Sequence, residues 1–417
     1  MTTSRIDRVD VSTPTGGPRV LTGITLVTLT LFAAYSGVLS VLLPQQVEML
    51  DPEGKVGSLA LVTSLSFAVT AFAQPLLGAL SDRTRTRWGR RIPWMIAGAV
   101  VGGVALGLTG SATSVGLLAV GWAVAQFALN GTDIASSAYL VDRFPPRRRG
   151  SVSAVIGVAV VVGGAVGVTL AGRFSGSGWA AYAILGAGVL AAVLIFAALV
   201  RDPPLPATDV PRPRLRPLVT TIMDAVRTRS DFVKILAWRL CFTLAHGAVY
   251  GYLLYLLTDY IGVSEHRSRD LIALLTVAGG AGLVVAVVAG GWLSDRLGRR
   301  APFLHLAAAL VVAGEIVAVV APTVPGVFCL AIALGAALGL SIACGTALGS
   351  EVISHPQDNA GRGLGTLNLA GNVGQAVAPV LGAIAIFLTD DYRSLFAISI
   401  AAVVAGSAIL TTLRTSR

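Results

Sequence analysis

Charged residues are scarce in this chain. Asp, Glu, Lys and Arg together make up 12% of its 417 residues, whereas hydrophobic residues make up 54% and the mean hydropathy is +0.78. A water-soluble fold would have too little polar surface to cover itself at this composition. The scarcity of charge therefore excludes a soluble globular protein and predicts an integral membrane protein.

Cysteine and histidine are scarce as well. The three cysteines, Cys241, Cys329 and Cys344, all fall inside long apolar runs, where a bare thiol behaves as a small hydrophobe. The four histidines are scattered, and no enzyme signature is found. The sequence thus predicts neither a disulfide, a metal site, a cofactor nor an enzymatic activity.

The chain contains many long apolar runs. Crossing a hydrocarbon core of about 30 Å takes roughly 20 helical residues, and we place twelve such runs, six on each side of a polar stretch. The predicted spans are about 20–43, 56–80, 92–111, 114–140, 151–172, 179–200, 233–258, 270–293, 301–320, 325–349, 363–388 and 394–413. The fold class predicted is an all-α integral membrane protein with twelve transmembrane helices in two pseudo-symmetric six-helix bundles.

The spans divide the chain into five regions. We expect a cytosolic tail at 1–19, a first six-helix bundle at 20–200, a cytosolic linker at 201–230, a second bundle at 231–413 and a cytosolic C-terminal tail at 414–417. The linker is rich in Pro and Arg, which is typical of an extended connector.

The distribution of basic residues predicts the orientation. The tails and the loops on their side of the membrane hold 25 of the 31 Lys and Arg residues, whereas the opposite loops hold five. Basic loops stay in the cytosol, so both termini are predicted to be cytosolic in a multi-pass protein of the cell membrane. This bias also accounts for the net charge of +10, so no nucleic-acid partner is predicted. Membrane lipid is the predicted surroundings of the helices.

One loop occurs twice. The stretch GALSDRTRTRWGRRIPW begins at Gly78, after the second span, and a shorter copy, GWLSDRLGRRAP, begins at Gly291, after the eighth. Repeated motifs at equivalent places indicate that the two halves are copies of one membrane unit. Because glycine has no side chain, Gly78 and Gly291 are expected to let another helix pack tightly against these helix ends.

The repeated loops predict a gate on the cytosolic side. Asp82 and Asp295 lie at helix ends, where a carboxylate can accept hydrogen bonds from the free N–H groups of a neighbouring helix. The arginine pairs that follow can hold acidic groups of the loops after spans four and ten. The predicted gating residues are Gly78, Asp82, Arg83, Arg90, Arg91, Asp142, Arg149, Gly291, Asp295, Arg296, Arg299, Arg300, Glu351 and Arg362.

These motifs resemble the major facilitator superfamily, whose signature between helices two and three, and again between eight and nine, is Gly-x-x-x-Asp-Arg-x-Gly-Arg-Arg. The resemblance covers the whole chain. It implies two six-helix bundles, a central cavity lined chiefly by helices 1, 4, 7 and 10, and alternating access by rocking of the bundles. The longer first copy, QPLLGALSDRTRTRWGRRIPW from Gln74, looks like the glycoside-pentoside-hexuronide symporters and the related sucrose carriers.

Two positions depart from the sucrose-type pattern. Those carriers place Asp-x-x-Asn-Asn in helix four, where this chain has Gln126, Leu129 and Asn130, and an amide cannot carry a proton. Ile92 stands where a basic residue is usual. The fold therefore follows from the resemblance, whereas the coupling group must be sought elsewhere in the chain.

Ionisable and polar residues inside the spans are candidates for contact with substrate or proton, because charge is costly there. Two stripes stand out at helical spacing, one in span four and one in span seven, and scattered aromatic residues could stack on a ring. The candidates are Tyr35, Trp122, Gln126, Asn130, Asp133, Arg239, Thr243, His246 and Tyr250. Glu315 is a weaker candidate, because its helix usually packs outside the cavity.

Structural roles compete with these assignments. Asp133 can pair with a basic residue near the gate, Arg239 can reach the interface along its aliphatic stem, and His246 can be a satisfied neutral donor. Asn368, Asn372 and Gln375 share one face of span eleven and are expected to bond between helices more than to ligand.

The combined expectation is a monomeric secondary active transporter for a small organic solute, coupled to protons, with a sugar or glycoside as the leading substrate class. The alternative is an exporter of drugs or secondary metabolites with the same fold. A membrane receptor would carry a large soluble signalling domain, and the longest polar stretch here is only the linker.

The orientation is testable by cysteine labelling. In a background without the three native cysteines, Thr86→Cys and Thr208→Cys should react with an impermeant maleimide only from the cytosolic side, and Ser264→Cys only from outside. Labelling of Thr208→Cys in intact cells would reverse the assignment.

Overall fold

A computed structural model describes residues 17–174, 178–200, 230–353 and 360–413. Within its helices it leaves out the side chains at 146, 147, 149, 150, 230, 350, 351, 353 and 360–365. Most of the predicted linker and of the N-terminal tail, and all of the C-terminal tail, lie outside the described residues.

Twelve helices are long and apolar enough to cross a membrane. Their bounds are α1 Pro18–Leu50, α2 Lys55–Arg83, α3 Ile92–Gly110, α4 Val115–Arg143, α5 Pro146–Phe174, α6 Trp179–Leu199, α7 Ser230–Tyr250, α8 Glu265–Leu297, α9 Ala301–Val320, α10 Val324–Ile353, α11 Ala360–Thr389 and α12 Arg393–Thr411. In the described residues the only β pairing is an isolated bridge between Thr86 and Gly89. The predicted fold class is confirmed.

Several helices extend beyond the predicted apolar runs. The eighth run was predicted at 270–293, and α8 spans Glu265–Leu297; α5 likewise begins at Pro146 rather than 151. Hydropathy marks only the length inside lipid, whereas a helix continues into the polar interface as long as its backbone hydrogen bonds are satisfied. Long apolar side chains such as Phe72, Val320 and Phe387 remain exposed on the outside of the bundle, as a lipid-facing surface requires.

Two helices depart from regular α geometry. In α1 a π-helical turn, Val38–Leu42, ends two residues before Pro44, and a wider turn accommodates a residue that has no N–H to donate. The seventh predicted run, 233–258, is interrupted after Tyr250. It resumes as a short helix, Leu253–Tyr255, followed by a π-helical turn, Leu256–Tyr260. We call residues 253–260 the α7 extension.

Close helix packing within each half depends on small residues. A Cβ built on Gly167 of α5 would lie 1.9 Å from the carbonyl oxygen of Ala33 on α1, and one on Gly374 of α11 would lie 2.6 Å from that of Leu240 on α7. Both distances are too short for any side chain. Since helices gain no hydrophobic force in lipid, such backbone approach supplies much of the packing.

The twelve spans return the chain to the side on which it starts. We call the side that carries Pro18 and Thr411 the terminal face and the other side the opposite face. The loop between α2 and α3 therefore lies on the terminal face, together with its copy between α8 and α9. The α7 extension lies on the opposite face.

Candidate functional site

A polar cavity of about 310 Å³ lies between the two halves, lined by α1, α2, α4, α7 and α11. Its size is at the lower end of the range of roughly 300–1,000 Å³ that is usual for ligand pockets. Amides, hydroxyls and one guanidinium dominate the lining. The polar lining residues are Tyr35, Thr70, Gln74, Gln126, Asn130, Arg239, Thr243, Asn368, Asn372 and Gln375.

Few of these polar groups are satisfied by one another. Asn372 Nδ2 donates to Gln74 Oε1 across the two halves at 3.0 Å, and Asn130 Nδ2 donates to the carbonyl of Gln126 at 2.8 Å. The buried atoms Tyr35 Oη and Gln126 Oε1 have no hydrogen-bond partner among the described residues. Because buried polar atoms are normally paired, these two atoms are candidates for contact with a solute in the cavity.

Arg239 is the one charged side chain among the described residues that line this cavity. It lies nine residues after Ser230, the start of α7, and hence about 14 Å along the helix axis. A Cβ on Gly371 would lie 3.3 Å from Arg239 Nε, so this glycine gives the guanidinium room beside α11. Arg239 forms no ion pair within the described parts of the chain. An arginine at the membrane centre costs about 2.5–3.5 kcal/mol on insertion scales, so Arg239 is a candidate for a functional contact.

A second cavity, of about 220 Å³, is predominantly apolar. It is lined by α1, α5, α7, α8 and α10 and by Leu253 of the α7 extension. Phe32, Val161 and Leu334 are typical of its walls. Phe32 lines the apolar cavity and Tyr35 lines the polar cavity. Their rings contact each other edge to face, with centroids 5.9 Å apart. The two cavities therefore adjoin along α1.

The predicted stripe on α7 is divided between the cavities. Arg239 and Thr243 line the polar cavity, whereas His246 and Tyr250 line the apolar one and stack with ring centroids 5.3 Å apart. Tyr250 also lies beside Ser40 of α1 and Thr276 of α8, so this side chain is placed where the two halves meet.

The remaining candidates lie outside both linings. Trp122 is fully buried in the hydrophobic core of the first half. Asp133 is partly buried, lies within electrostatic reach of Tyr35, and forms no ion pair in the described part of the chain. Glu315 is fully buried between α9 and α12, where it accepts a hydrogen bond from Ser399.

On the terminal face, the first copy of the repeated loop forms a cluster around Arg91. This buried side chain donates from Nη2 to Asp82 at 2.7 Å, from Nη1 to Ser81 Oγ at 3.0 Å and from Nε to Asp142 at 3.3 Å. Arg90 pairs with the same Asp142 carboxylate at 2.6 Å. One guanidinium thus ties the ends of α2 and α4 to the start of α3.

The second copy repeats the arrangement in α8 and α9. Arg300 pairs with Asp295 and donates to Ser294 Oγ at 2.6 Å. Arg83 and Arg296 lie in exposed positions at the ends of α2 and α8. Arg299 is exposed in the loop that follows α8. The side chains of Arg149, Glu351 and Arg362 lie outside the described residues, so their predicted gating contacts stay predictions.

Two expectations about this loop need correction. A Cβ on Gly78 would lie 3.9 Å from Ile134, and one on Gly291 would lie 3.9 Å from Ala343, both ordinary contact distances. Neither glycine is therefore required for tight packing in this conformation. Asp82 pairs with a guanidinium, because Arg91 folds back from the start of α3 to meet it.

On the opposite face, polar contacts join the halves in what we call the latch. Lys55, at the start of α2, pairs with Glu48 at 2.7 Å and with Asp259 of the α7 extension at 3.0 Å. Asp259 also accepts hydrogen bonds from Thr258 at 2.8 Å and Tyr392 at 2.6 Å. Burial alone would raise the pKa of the Asp259 carboxyl, but these donors together hold it below its ordinary value.

Two further contacts complete the closure of this face. Tyr255 Oη donates to the carbonyl of Pro44 at 2.9 Å, and Gln45 Nε2 donates to Glu265 at 3.3 Å. The sequence does not predict the latch, because its paired residues are separated by about 200 positions. Asp259 in an otherwise apolar stretch was the available signal.

Twelve membrane helices in two halves around a central polar cavity define a membrane transporter. A family model described as Major Facilitator Superfamily matches residues 24–266 and 240–417. The chain therefore belongs to the major facilitator superfamily, as its repeated motif predicted, and it is not an enzyme.

Curated relatives match in short segments. An uncharacterized symporter of Synechocystis, sll1374, is 43% identical over 49 residues, and the inner membrane symporter YicJ of Escherichia coli is 43% identical over 53 residues. The MFS-type efflux transporter pyiT of Pyricularia grisea is 37% identical over 109 residues. These segments cover 12%, 13% and 26% of this chain and 8%, 11% and 17% of the three relatives.

Solved structures share the fold at low identity. The nucleoside transporter NupG superposes with a TM-score of 0.73 at 12% identity, covering 94% of this chain and 99% of that one. A bacterial homologue of the human lysosomal transporter Spinster, inward-facing and occupied, gives 0.72 at 15% identity over 95% and 97% of the two chains. At these identities the likeness concerns the fold alone.

The cluster around Arg91 yields a stability prediction. Arg91→Lys keeps the charge but cannot reach three partners in a fixed fork, so we expect a loss of about 1–3 kcal/mol in unfolding free energy. The melting temperature of the purified protein in detergent measures this. Arg85→Lys, at an exposed loop position, is the matched control and should change little. Equal melting temperatures for the two variants would contradict the assigned role.

The latch yields a conformational prediction. Asp259 has a lowered pKa when the opposite face is closed, so its stabilisation is complete above its ordinary pKa of about 3.9 and is lost as pH falls through the lowered value. Asp259→Asn should mimic this loss at pH 7. Spin labels at Glu53→Cys and Ser264→Cys, measured by pulsed electron resonance, should then show an added longer distance. Asp390→Asn changes an exposed carboxylate in the α11–α12 loop on the same face and should leave the distance unchanged. An unchanged distance in Asp259→Asn would show that the latch does not hold this face closed.

Proposed function

We propose that this chain is a secondary active transporter that moves a small polar solute, of the sugar or glycoside class, by alternating access coupled to protons. The polar cavity at mid-depth is the observation that carries the proposal. Its amides and hydroxyls each donate or accept hydrogen bonds, as the hydroxyl groups of a sugar require. Tyr35 Oη on α1 and Gln126 Oε1 on α4 each provide a polar atom that has no hydrogen-bond partner among the described residues.

Contacts of two kinds support alternating access. The latch joins the halves on the opposite face through a few polar groups that water can replace, and such contacts can form in one state and break in another. The clusters of Arg91 and Arg300 tie helix ends within each half on the terminal face, which lets each half move as a unit. The charge bias of the loops supports cytosolic termini and a place in the cell membrane.

Proton coupling needs a group that titrates and reaches the transport path. Gln126 cannot serve, because its amide does not ionise. Asp133 lies near Tyr35 of the polar cavity and has no ion-pair partner in the described residues. His246 lines the apolar cavity. We assign the proton first to Asp133 and second to His246, with both acting inside the membrane.

The test separates coupling from binding in proteoliposomes. A panel of mono- and disaccharides and aryl glycosides is offered under an imposed inward pH gradient. Asp133→Asn is expected to abolish gradient-driven accumulation, while exchange of labelled for unlabelled solute continues near the wild-type rate. His246→Gln is measured in parallel. If the double variant accumulates solute with wild-type pH dependence, the assignment to Asp133 and His246 is wrong and Glu315 is the next candidate. If the wild type equilibrates solute but never accumulates it under the gradient, the protein is a facilitator.

Export is the alternative function, and one observation favours it. The segment shared with an efflux transporter is longer, at 109 residues, than those shared with the two symporters. Proteoliposomes sorted by orientation distinguish the two, because a symporter accumulates solute when protons flow inward with it, whereas an exporter working as an antiporter accumulates solute against the proton flow.

A further inference from the structure

The two adjoining cavities differ in chemistry, and this difference specifies a solute. Arg239 is the sole Asp, Glu, Lys or Arg in the described linings of either cavity, and it has no carboxylate partner in the described chain. A neutral sugar would leave this guanidinium without a counter-charge. A carboxylate would accept two parallel N–H donors from it, which is the strongest and most directional pairing that arginine makes.

The apolar cavity is complementary to a second, chemically different group of the solute. Phe32, Val161 and Leu334 offer no hydrogen bonds, and a polyhydroxylated ring placed there would lose its own bonds to water. An aromatic or alkyl group suits this space and can pack on the ring pair His246 and Tyr250.

The positions on α7 relate the two groups. Arg239 and His246 are seven residues apart on one helix, which corresponds to about 10 Å along its axis. A solute that carries one ring beyond its anionic group is long enough to span that distance. The boundary between the cavities is the edge-to-face pair of Phe32 and Tyr35, over which such a ring would lie.

We propose that the transported solute is an amphipathic organic anion, whose carboxylate binds Arg239 in the polar cavity while its apolar group occupies the adjoining cavity beside Phe32. The proposal rests on the central cavities being the transport site, as proposed above, but it does not require the solute to contain a sugar.

Five matched probes test the charge and the apolar group separately. They are 4-nitrophenyl β-D-glucuronide, which carries both groups, 4-nitrophenyl β-D-glucoside, which lacks the charge, glucuronate, which lacks the ring, glucose, which lacks both, and 4-nitrophenylacetate, which lacks the sugar. Binding to the purified full-length protein is measured by calorimetry. The glucuronide is expected to bind at least about tenfold more tightly than the glucoside and than glucuronate, a difference of about 1.4 kcal/mol for each group.

Variants assign the two preferences to their residues. Arg239→Gln should make the glucuronide and the glucoside equal in affinity, and Arg239→Lys should restore part of the difference. Phe32→Ala should weaken the two nitrophenyl glycosides several-fold and leave glucuronate unchanged. Arg267→Gln, at an exposed position in the first turn of α8, and Phe72→Ala, on the lipid-facing surface, are the matched controls. All variants are checked for an unchanged melting profile.

The outcomes distinguish this inference from the proposed function. If the glucoside binds the wild type as tightly as the glucuronide, or if Arg239→Gln keeps the wild-type preference, the anion assignment is wrong while sugar transport stands. If 4-nitrophenylacetate binds through Arg239 and neither sugar nor glycoside does, the anion assignment stands and the sugar class is wrong. If no probe binds, both are wrong.

Discussion

Every other feature of this protein depends on one constraint: lipid offers no hydrogen bonds to the backbone. Each N–H and C=O inside the membrane must be satisfied within its own helix, so the chain crosses the membrane only as helices. Polar side chains are subject to the same constraint, and they gather where the two halves enclose space. The amides of α4 and α11, together with Arg239, therefore define the cavity because lipid excludes them from every other surface.

Contacts within each half and contacts between the halves are of two kinds, with different consequences. Within each half, glycines such as Gly167 and Gly374 bring helices to backbone contact, and such packing has no second arrangement to adopt. Between the halves, the opposite face is held by Lys55 and Asp259 and the cavity by Gln74 and Asn372. These polar contacts can be exchanged for water, so movement between the halves costs less than movement within them.

The π-helical turns occur where the halves touch. One precedes Pro44, whose carbonyl accepts the hydrogen bond of Tyr255, and the other contains Asp259 of the latch. A π turn leaves the regular hydrogen-bond ladder and re-aims the side chains that follow. The irregular ends of α1 and α7 thus place their polar groups against each other on the opposite face, although both helices enter the membrane as ordinary apolar spans.

The sequence by itself determined the class, the twelve spans and the duplication, because hydropathy and a repeated charged loop are local properties. It also identified Gln126, Asn130 and Arg239 as polar residues in lipid. Only the tertiary structure decided that Arg239 and Thr243 line one cavity while His246 and Tyr250 line another, and that Lys55 meets Asp259. Helix rotation and the contact of distant segments follow from packing between helices that are uniformly apolar, and such helices carry no stripe in sequence that states which face is turned inward.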